Sequence, residues 1–316
     1  MGELMKNKIK KVILLLLVVF TLTGCTKTLT DDNNVKITND ETGQALTSNI
    51  LCLPEDDYLY SLYQQNESRL DVNLADLTTC ENMKVYDSNN YNDLWVQIFV
   101  RPLAWLIIKL GLFVGNYGIS VMIIGILIRL ILLPFSIKST RQQENMTKAQ
   151  PKLEKIEKKY ANMADQEAMM KKSQETLAVY KEYNINPMSS CVLAFIQLPL
   201  FFAFLEAINR VPAIFENNLL KFQLGTTPLF GITHGNYYYV ILIVLIVLFT
   251  VLTFMSSMNM PTASSEQAKQ TKFMMIFMMV FIGIASFQLP SAIALYWVVT
   301  NAFSVIQTYI VKKVGK

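Results

Sequence analysis

Long apolar segments separated by polar ones occupy most of the chain after residue 114. Each of the five segments approaches the roughly 20 residues that an α-helix needs to cross the hydrocarbon core of a bilayer. The pattern predicts membrane spans at about 117–137, 188–208, 237–255, 273–289 and 291–311. Residues 114–316 are therefore expected to form a five-transmembrane-helix bundle, the core of an all-α integral membrane protein.

A further apolar segment, residues 91–113, has a different character because tryptophans and cations interrupt it. Trp95 and Trp105 alternate with Arg101 and Lys109 among aliphatic residues. Such a mixture is typical of a helix that lies in the membrane interface, with its aromatic rings at the level of the headgroups. We predict an N-terminal interfacial amphipathic helix here.

The long polar segment between the first two spans, residues 138–187, has a helical period of its own. Ala149, Leu153, Ile156 and Tyr160 recur at spacings of three and four, and Met170, Leu177 and Tyr180 recur at seven and three. Two amphipathic helices joined near residues 161–165 are expected to form an antiparallel helical hairpin. A solvated spacer is the alternative, but a spacer does not need an apolar stripe, so we favour an interaction arm.

The N-terminus has the features of an export signal. Four lysines precede a short apolar run that ends in Gly24 and Cys25. Small residues before a cysteine resemble the cleavage site of bacterial lipoproteins. On that resemblance residues 1–24 are a lipoprotein signal peptide, and Cys25 carries a covalent palmitate-containing lipid as the first mature residue. The alternative is an uncleaved signal anchor with an incidental cysteine.

The exported stretch that follows, residues 25–90, is polar and acidic. Residues 26–90 contain four Lys or Arg against twelve Asp or Glu, and few apolar clusters. This composition predicts an acidic tether or small accessory region, mostly irregular. Cys52 and Cys80 both lie in it, and a disulfide between them is one option that the sequence leaves open.

Composition and charge distribution fix the class and the topology. The chain is 52% hydrophobic and 16% charged, with a mean hydropathy of +0.32, which excludes an ordinary soluble globule. Residues 138–187 carry ten Lys or Arg, whereas the loop at 209–236 carries two. Since basic loops stay in the cytoplasm, the hairpin and the C-terminus are predicted inside and the N-terminus outside a bacterial cytoplasmic membrane.

An arginine lies within the first predicted span. Arg129 has no acidic residue in its own segment, and a cation at the bilayer centre costs about 2.5–3.5 kcal/mol on insertion scales. Gln197, Thr300 and Asn301 lie at nearly the same depth by residue counting, at about 1.5 Å per residue. Together these side chains predict a hydrated cavity between the helices. Alternatively, the three neutral residues only hold helices together by hydrogen bonds.

Three sequence stretches resemble the YidC/Oxa/Alb family of membrane protein insertases, in the lipoprotein type of Gram-positive bacteria. They are RLILLPFSIK (129–138), YKEYNINP (180–187) and ALYWVVTN (294–301), and the likeness covers roughly residues 91–312. Ser189 and Ser190 stand where relatives commonly have two glycines. The resemblance implies a hydrophilic groove open to the cytoplasm and to lipid, with Arg129 as the key residue and Gln197 and Trp297 as lining residues.

The function implied by the resemblance is the insertion of client transmembrane segments into the bilayer, by a protein that works as a monomer. Nascent membrane proteins and lipids are the implied partners, with the Sec translocon, the ribosome and the signal-recognition targeting machinery as further candidates. Neither nucleic-acid recognition nor a cofactor other than the lipid is expected. Common hydrolase motifs, metal-binding Cys/His spacings and paired carboxylates in the spans are missing from the sequence, so we predict that the protein is not an enzyme. A small-anion transporter or channel is the alternative, because anion pathways also use intramembrane arginines.

Overall fold

The computed structural model describes residues 26–86, 93–161, 163, 165–186, 189–258, 273, 276–277 and 279–314, with the side chains of 189–195, 198, 256–258, 312 and 314 excepted. The predicted signal peptide and Cys25 lie outside the described residues, as does much of the predicted span 273–289. Among the described residues, one compact unit comprises 26–125, 197–242 and 287–297. The other comprises 126–196, 243–286 and 298–314.

The protein is mostly helical. The helices with complete bounds are α1 (Asp57–Gln65), α2 (Arg101–Val114), α3 (Tyr117–Ile131), α4 (Leu133–Tyr160), α5 (Gln166–Glu182), α6 (Ser189–Asn209), α7 (Pro212–Phe215), α8 (Pro228–Thr233), α9 (Tyr239–Met258) and α10 (Ser291–Val314). Two short antiparallel strands, β1 (Asn218–Leu219) and β2 (Phe222–Gln223), pair between α7 and α8. Residues 279–285 are also helical.

Residues 26–86, here called the outer domain after the side of the membrane predicted for them, are folded, where the sequence led us to expect a mostly irregular tether or small accessory region. Tyr63 is fully buried, and its burial raises the pKa of its hydroxyl. Isolated β-bridges, α1 and three short 3₁₀ helices surround an apolar core. That core consists of Leu29, Leu46, Ile50, Leu59, Tyr63, Leu74 and Leu77. The apolar residues are too scattered for a periodic signal, which explains why the sequence did not reveal this core.

A disulfide bond joins Cys52 to Cys80 and closes a loop across the outer domain. Both cysteines are buried, so the bond is part of the interior. The sequence left this pairing open, and the structure forms it. Cross-linking residues 28 positions apart removes many conformations from the unfolded chain, which favours the folded domain.

Helix α2 is preceded by one turn of π-helix, Val96–Val100, and ends at Gly115. Gly115 has φ +72°, the left-handed conformation that commonly ends helices. The next helix, α3, packs closely against α2 near this turn: the Ser120 hydroxyl donates to the Ile107 carbonyl at 2.6 Å. A side chain at Gly111 would collide with the ring of Tyr117. The small residue therefore permits the tight connection.

The first predicted span, 117–137, is interrupted in the structure. Helix α3 ends at Ile131, and α4 begins at Leu133 with the helix axis bent by 58°. Pro134 lies in the first turn of α4 and supplies no backbone N–H, so it cannot continue the hydrogen-bond ladder of α3. The sequence predicted a span over these residues but not the bend within it.

Helices α4 and α5 pack against each other where the sequence predicts a hairpin. Its apolar core consists of Ala149, Leu153, Val179 and Ile185, with Met146, Ile156, Tyr180 and Tyr183 at the edges. Met170 and Leu177 were expected in the stripe of the second helix, but both are exposed. Val179 takes the buried position because the two helices meet along a slightly different face of α5.

Surface ion pairs flank the hairpin core. Lys152 pairs with Glu182, and Lys159 pairs with Glu175, each linking α4 to α5. Hydrogen bonds from Lys159 and Tyr160 lower the pKa of the Glu175 carboxyl. Exposed pairs add little stability, so the apolar core holds the hairpin and the ion pairs help to set its register.

By length and hydropathy, three helices among the described residues can cross a membrane: Val96–Val114, Tyr237–Met255 and Ser291–Val311. A fourth is added if the bent pair α3–α4 counts as one span. Helix α6 contains Pro199, and its apolar part from there to Asn209 is shorter. The helix predicted to lie in the interface, at residues 91–113, is thus also long and apolar enough to cross the membrane. An all-α membrane protein with three or four candidate spans agrees with the predicted class.

Candidate functional site

Arg129 lies on α3, three residues before the bend at Leu132. Its side chain is half-buried, and the residues of α3 from Val121 to Ile131 are otherwise apolar. The end of α3 therefore presents a permanent cation among aliphatic residues. Such a position is costly unless water or polar groups solvate the guanidinium, and intramembrane cations of this kind usually mark a functional site.

Two aromatic contacts join α6 to the start of α10. The rings of Phe201 and Trp297 stack with their centroids 6.0 Å apart, and those of Phe204 and Tyr296 stack at 4.2 Å. Gln197 lies one helical turn before Phe201, on the same face of α6, and is half-buried. Gln197 and Trp297, two of the predicted lining residues, therefore lie on faces of α6 and α10 that meet.

The remaining predicted lining residues follow Trp297 along α10. Thr300 is almost completely buried, whereas Asn301 and Trp297 are half-buried. Asn301 lies one turn beyond Trp297 on the same face of the helix. A polar strip at the edge of an apolar helix can line a hydrated groove or hydrogen-bond to a neighbouring helix.

Gln197 and Trp297 belong to one compact unit, and Arg129, Thr300 and Asn301 belong to the other. Each set is described on its own. The existence of one groove lined by all of these residues remains a prediction from the sequence.

Sequence reasoning missed a buried polar cluster at the C-terminal end of α6. Glu206 and Arg210 are both buried, one helical turn apart, and the indole N–H of Trp95 donates to a carboxylate oxygen of Glu206 at 2.9 Å. The spacing of an acid and a base four residues apart in an apolar segment was the available signal.

No three His, Cys, Asp or Glu side chains converge in the described part of the chain in a way that could hold a metal ion. What the described site offers chemically is a cation, amide and hydroxyl groups and aromatic faces on apolar helices. Groups of this kind can bind and solvate a polypeptide without making or breaking covalent bonds.

The fold and the site together define a multi-pass helical membrane protein with polar side chains in its apolar core. The sequence model of the family described as 60Kd inner membrane protein matches residues 109–316. The chain belongs to this family.

Named relatives agree with this assignment. The chain is 35% identical over 239 residues to the membrane protein insertase YidC of Oceanobacillus iheyensis, an alignment that covers 75% of this chain and 91% of the relative. It is 36% identical over 218 residues to YidC 2 of Listeria innocua, covering 69% and 71% of the two chains. It is 33% identical over 237 residues to the membrane protein insertase MisCA of Bacillus subtilis, covering 75% and 86%.

These relatives confirm the resemblance found in the sequence and the prediction of an insertase. They also agree with a multi-pass protein of a bacterial membrane that is not an enzyme. The outer domain lies before the region matched by the family model. The lipid on Cys25 and the sides on which the termini lie remain predictions.

Proposed function

We propose that this insertase moves the polar flanks of nascent membrane proteins through a hydrophilic groove in a core of five spans. Arg129, Gln197, Trp297, Thr300 and Asn301 line the groove, which opens to the cytoplasm and to lipid and is closed on the outside. The observation that carries the proposal is the half-buried guanidinium of Arg129 at the end of an apolar helix.

The groove solves a problem of solvation. An unsatisfied polar group in hydrocarbon costs several kcal/mol, so a client flank cannot cross the dry bilayer easily. A hydrated groove that reaches part of the way shortens the dry path. The client's apolar segment meanwhile moves along α6 and α10 into lipid, driven by about 0.8 kcal/mol for each CH₂ buried.

Arg129 attracts acidic residues of the client flank. Two unit charges 4 Å apart interact by about 1 kcal/mol in water and by about 4 kcal/mol at an effective dielectric constant of 20. The bend that follows Arg129 turns the chain towards the hairpin α4–α5. The hairpin acts on the cytoplasmic side as the arm that receives clients, with the Sec translocon, the ribosome and the signal-recognition machinery as its candidate partners.

On the outside, a lipid on Cys25 anchors the N-terminus in the membrane. Backbone hydrogen bonds of the outer domain begin at Lys27, two residues later. Two extended residues span at most about 7 Å, so the lipid holds the outer domain directly at the membrane surface. Helix α2 then lies in the interface beneath it, as the sequence predicts.

The test replaces Arg129 with Ala and, separately, with Lys, in cells depleted of other insertases. The matched control is Arg141→Ala, which removes the same side chain from an exposed site on α4. We expect Arg129→Ala to slow the insertion of clients with acidic flanks by about fivefold to several hundredfold, from the 1–4 kcal/mol above. Arg129→Lys keeps the charge and retains most of the activity, and Arg141→Ala has little effect.

Two results would contradict the proposal. Unimpaired insertion by the Arg129→Ala protein would remove the arginine from the mechanism. Anion flux through the purified protein in liposomes, abolished by the same substitution, would favour the transporter alternative.

A further inference from the structure

Two of the places at which the outer domain is attached to the helices are linked by the disulfide, and the first is at the C-terminal end of α6. The guanidinium Nε of Arg210 donates to the carbonyl of Asn49 at 2.7 Å, and the backbone N–H of Leu51 donates to the carbonyl of Arg210 at 2.8 Å. The Thr47 hydroxyl donates to the carbonyl of Asn209 at 3.0 Å. Arg210 is only 1% exposed, so this contact is sealed from water.

The second attachment is to helix α2. The Nε of Arg101 donates to the carbonyl of Lys84 at 2.9 Å, and the ammonium group of Lys109 donates to the carbonyl of Glu81 at 2.9 Å. Arg101 is 3% exposed. Residues 101 and 109 are about 12 Å apart along a helix, at about 1.5 Å per residue, so α2 runs alongside the outer domain over two turns.

The Cys52–Cys80 disulfide connects these two attachments. Cys52 directly follows Leu51, which bonds to Arg210, and Cys80 directly precedes Glu81, which bonds to Lys109. The disulfide therefore links the segment at Leu51, which is bonded to Arg210, covalently to the segment at Glu81, which is bonded to α2. Hydrogen bonds from charged groups are stronger than neutral ones, and those of the buried Arg210 to Asn49 and of the buried Arg101 to Lys84 hold the segments next to the disulfide.

We propose that the outer domain is a disulfide-braced clamp that holds α2 in a fixed position relative to the outer end of α6. Arg101 and Arg210 are its positioning residues. The clamp acts on the insertase by holding the outer ends of these helices still while clients move past them.

The experiment measures backbone amide hydrogen exchange in the full-length protein in lipid nanodiscs, together with client insertion at equal protein abundance. Arg101→Ala removes the buried one of the two hydrogen bonds that attach α2, leaves the bond from Lys109 to Glu81, and leaves the disulfide and the core of the outer domain intact. The Cys52→Ser/Cys80→Ser double variant removes the brace. Arg69→Ala is the matched control, because Arg69 bonds only within the outer domain in the contacts found, to Asp32 and Asn66.

We expect Arg101→Ala to increase exchange in α2 by about tenfold or more, while α1 and the rest of the outer domain stay protected. The double variant increases exchange both in α2 and at residues 205–211. Insertion slows in both variants. Arg101→Lys keeps a donor for the Lys84 carbonyl and restores both readouts in part, and Arg69→Ala changes neither α2 nor insertion.

Unchanged exchange of α2 in the Arg101→Ala protein would overturn the proposal. So would a double variant in which only the outer domain loses protection, because the domain would then be an appendage that does not hold the helices. The exchange readout does not depend on the groove, so the clamp can fail or hold independently of the insertion mechanism.

Discussion

Leu153 lies in the centre of the small apolar core that joins α4 to α5. It is 2% exposed and packs with Ala149, Val179 and Ile185 in a core of only a few residues. Leu153→Ala removes three buried carbon atoms and leaves a cavity, which in well-packed proteins costs about 2.7–5 kcal/mol. The open edges of a two-helix core can partly collapse, so we expect about 3 kcal/mol.

Leu177→Ala is the matched control, since the same change is made on the same hairpin at a position that is 55% exposed. Surface substitutions of this kind stay within about 0.5 kcal/mol. Alanine also favours the helix at least as strongly as leucine does. The control therefore predicts almost no loss of stability.

Amide hydrogen exchange of α4 and α5 in the full-length protein provides the assay. A loss of 3 kcal/mol corresponds to a decrease in protection of about a hundredfold, at 1.4 kcal/mol for each factor of ten. Leu177→Ala should change protection by less than about threefold. Equal protection in the two variants would refute the assignment of Leu153 to the hairpin core. A larger loss of protection in Leu177→Ala would show that the face of α5 predicted from the sequence, the one that carries Leu177, is the buried one.

Two other predictions concern Glu216 and Gly43. Burial raises the pKa of Glu216 above 4.5, against the opposing effect of two backbone N–H donors, so the folded state favours the protonated carboxyl. The contribution of this raised pKa to the free energy of unfolding is complete below pH 4.5 and is lost as the pH rises through the raised pKa. Glu216→Gln should remove this part of the pH dependence of stability. A profile of thermal unfolding against pH that stays unchanged in the variant would contradict this. Gly43→Ala should weaken docking of the outer domain, because the new Cβ would lie 2.5 Å from the ring of Phe230 at φ +69°. Gly235→Ala is the matched control, because Gly235 has a similar backbone conformation, φ +86°, with open space around it. Equal thermal unfolding of the two variants would show that only backbone strain matters and would exclude the contact with Phe230.

The hairpin shows how far a periodic pattern leads. The spacing of Ala149, Leu153 and Tyr160 placed these residues on one face, and the structure buries all three. On α5 the same reasoning selected Met170 and Leu177, which are exposed. Periodicity identifies candidate faces, but the partner helix decides which one is buried. In α5 several faces carry an apolar residue, so the pattern alone could not choose.

The candidate site was predictable in part for a similar reason. Arg129 stood out because a cation in an apolar segment is costly wherever the segment packs. The stacking of Phe201 on Trp297 could not be foreseen, since it depends on which faces of α6 and α10 meet. Pro134 was a local signal for the bend after Ile131. A proline can, however, either kink a helix or occupy the first turn of a new one, and the sequence alone does not distinguish the two.

The sequence by itself determined the membrane class, the apolar segments, the charge asymmetry and the family. These features are local, because a bilayer requires about 20 apolar residues in a row from any spanning helix and responds to charges near its ends. Only the tertiary structure decided that residues 26–86 fold around their own core, that Cys52 pairs with Cys80, and that buried arginines join this domain to α2 and α6. Those contacts link residues as far apart as Thr47 and Asn209, and their stability comes from packing and hydrogen bonds that exist only when the whole unit is assembled.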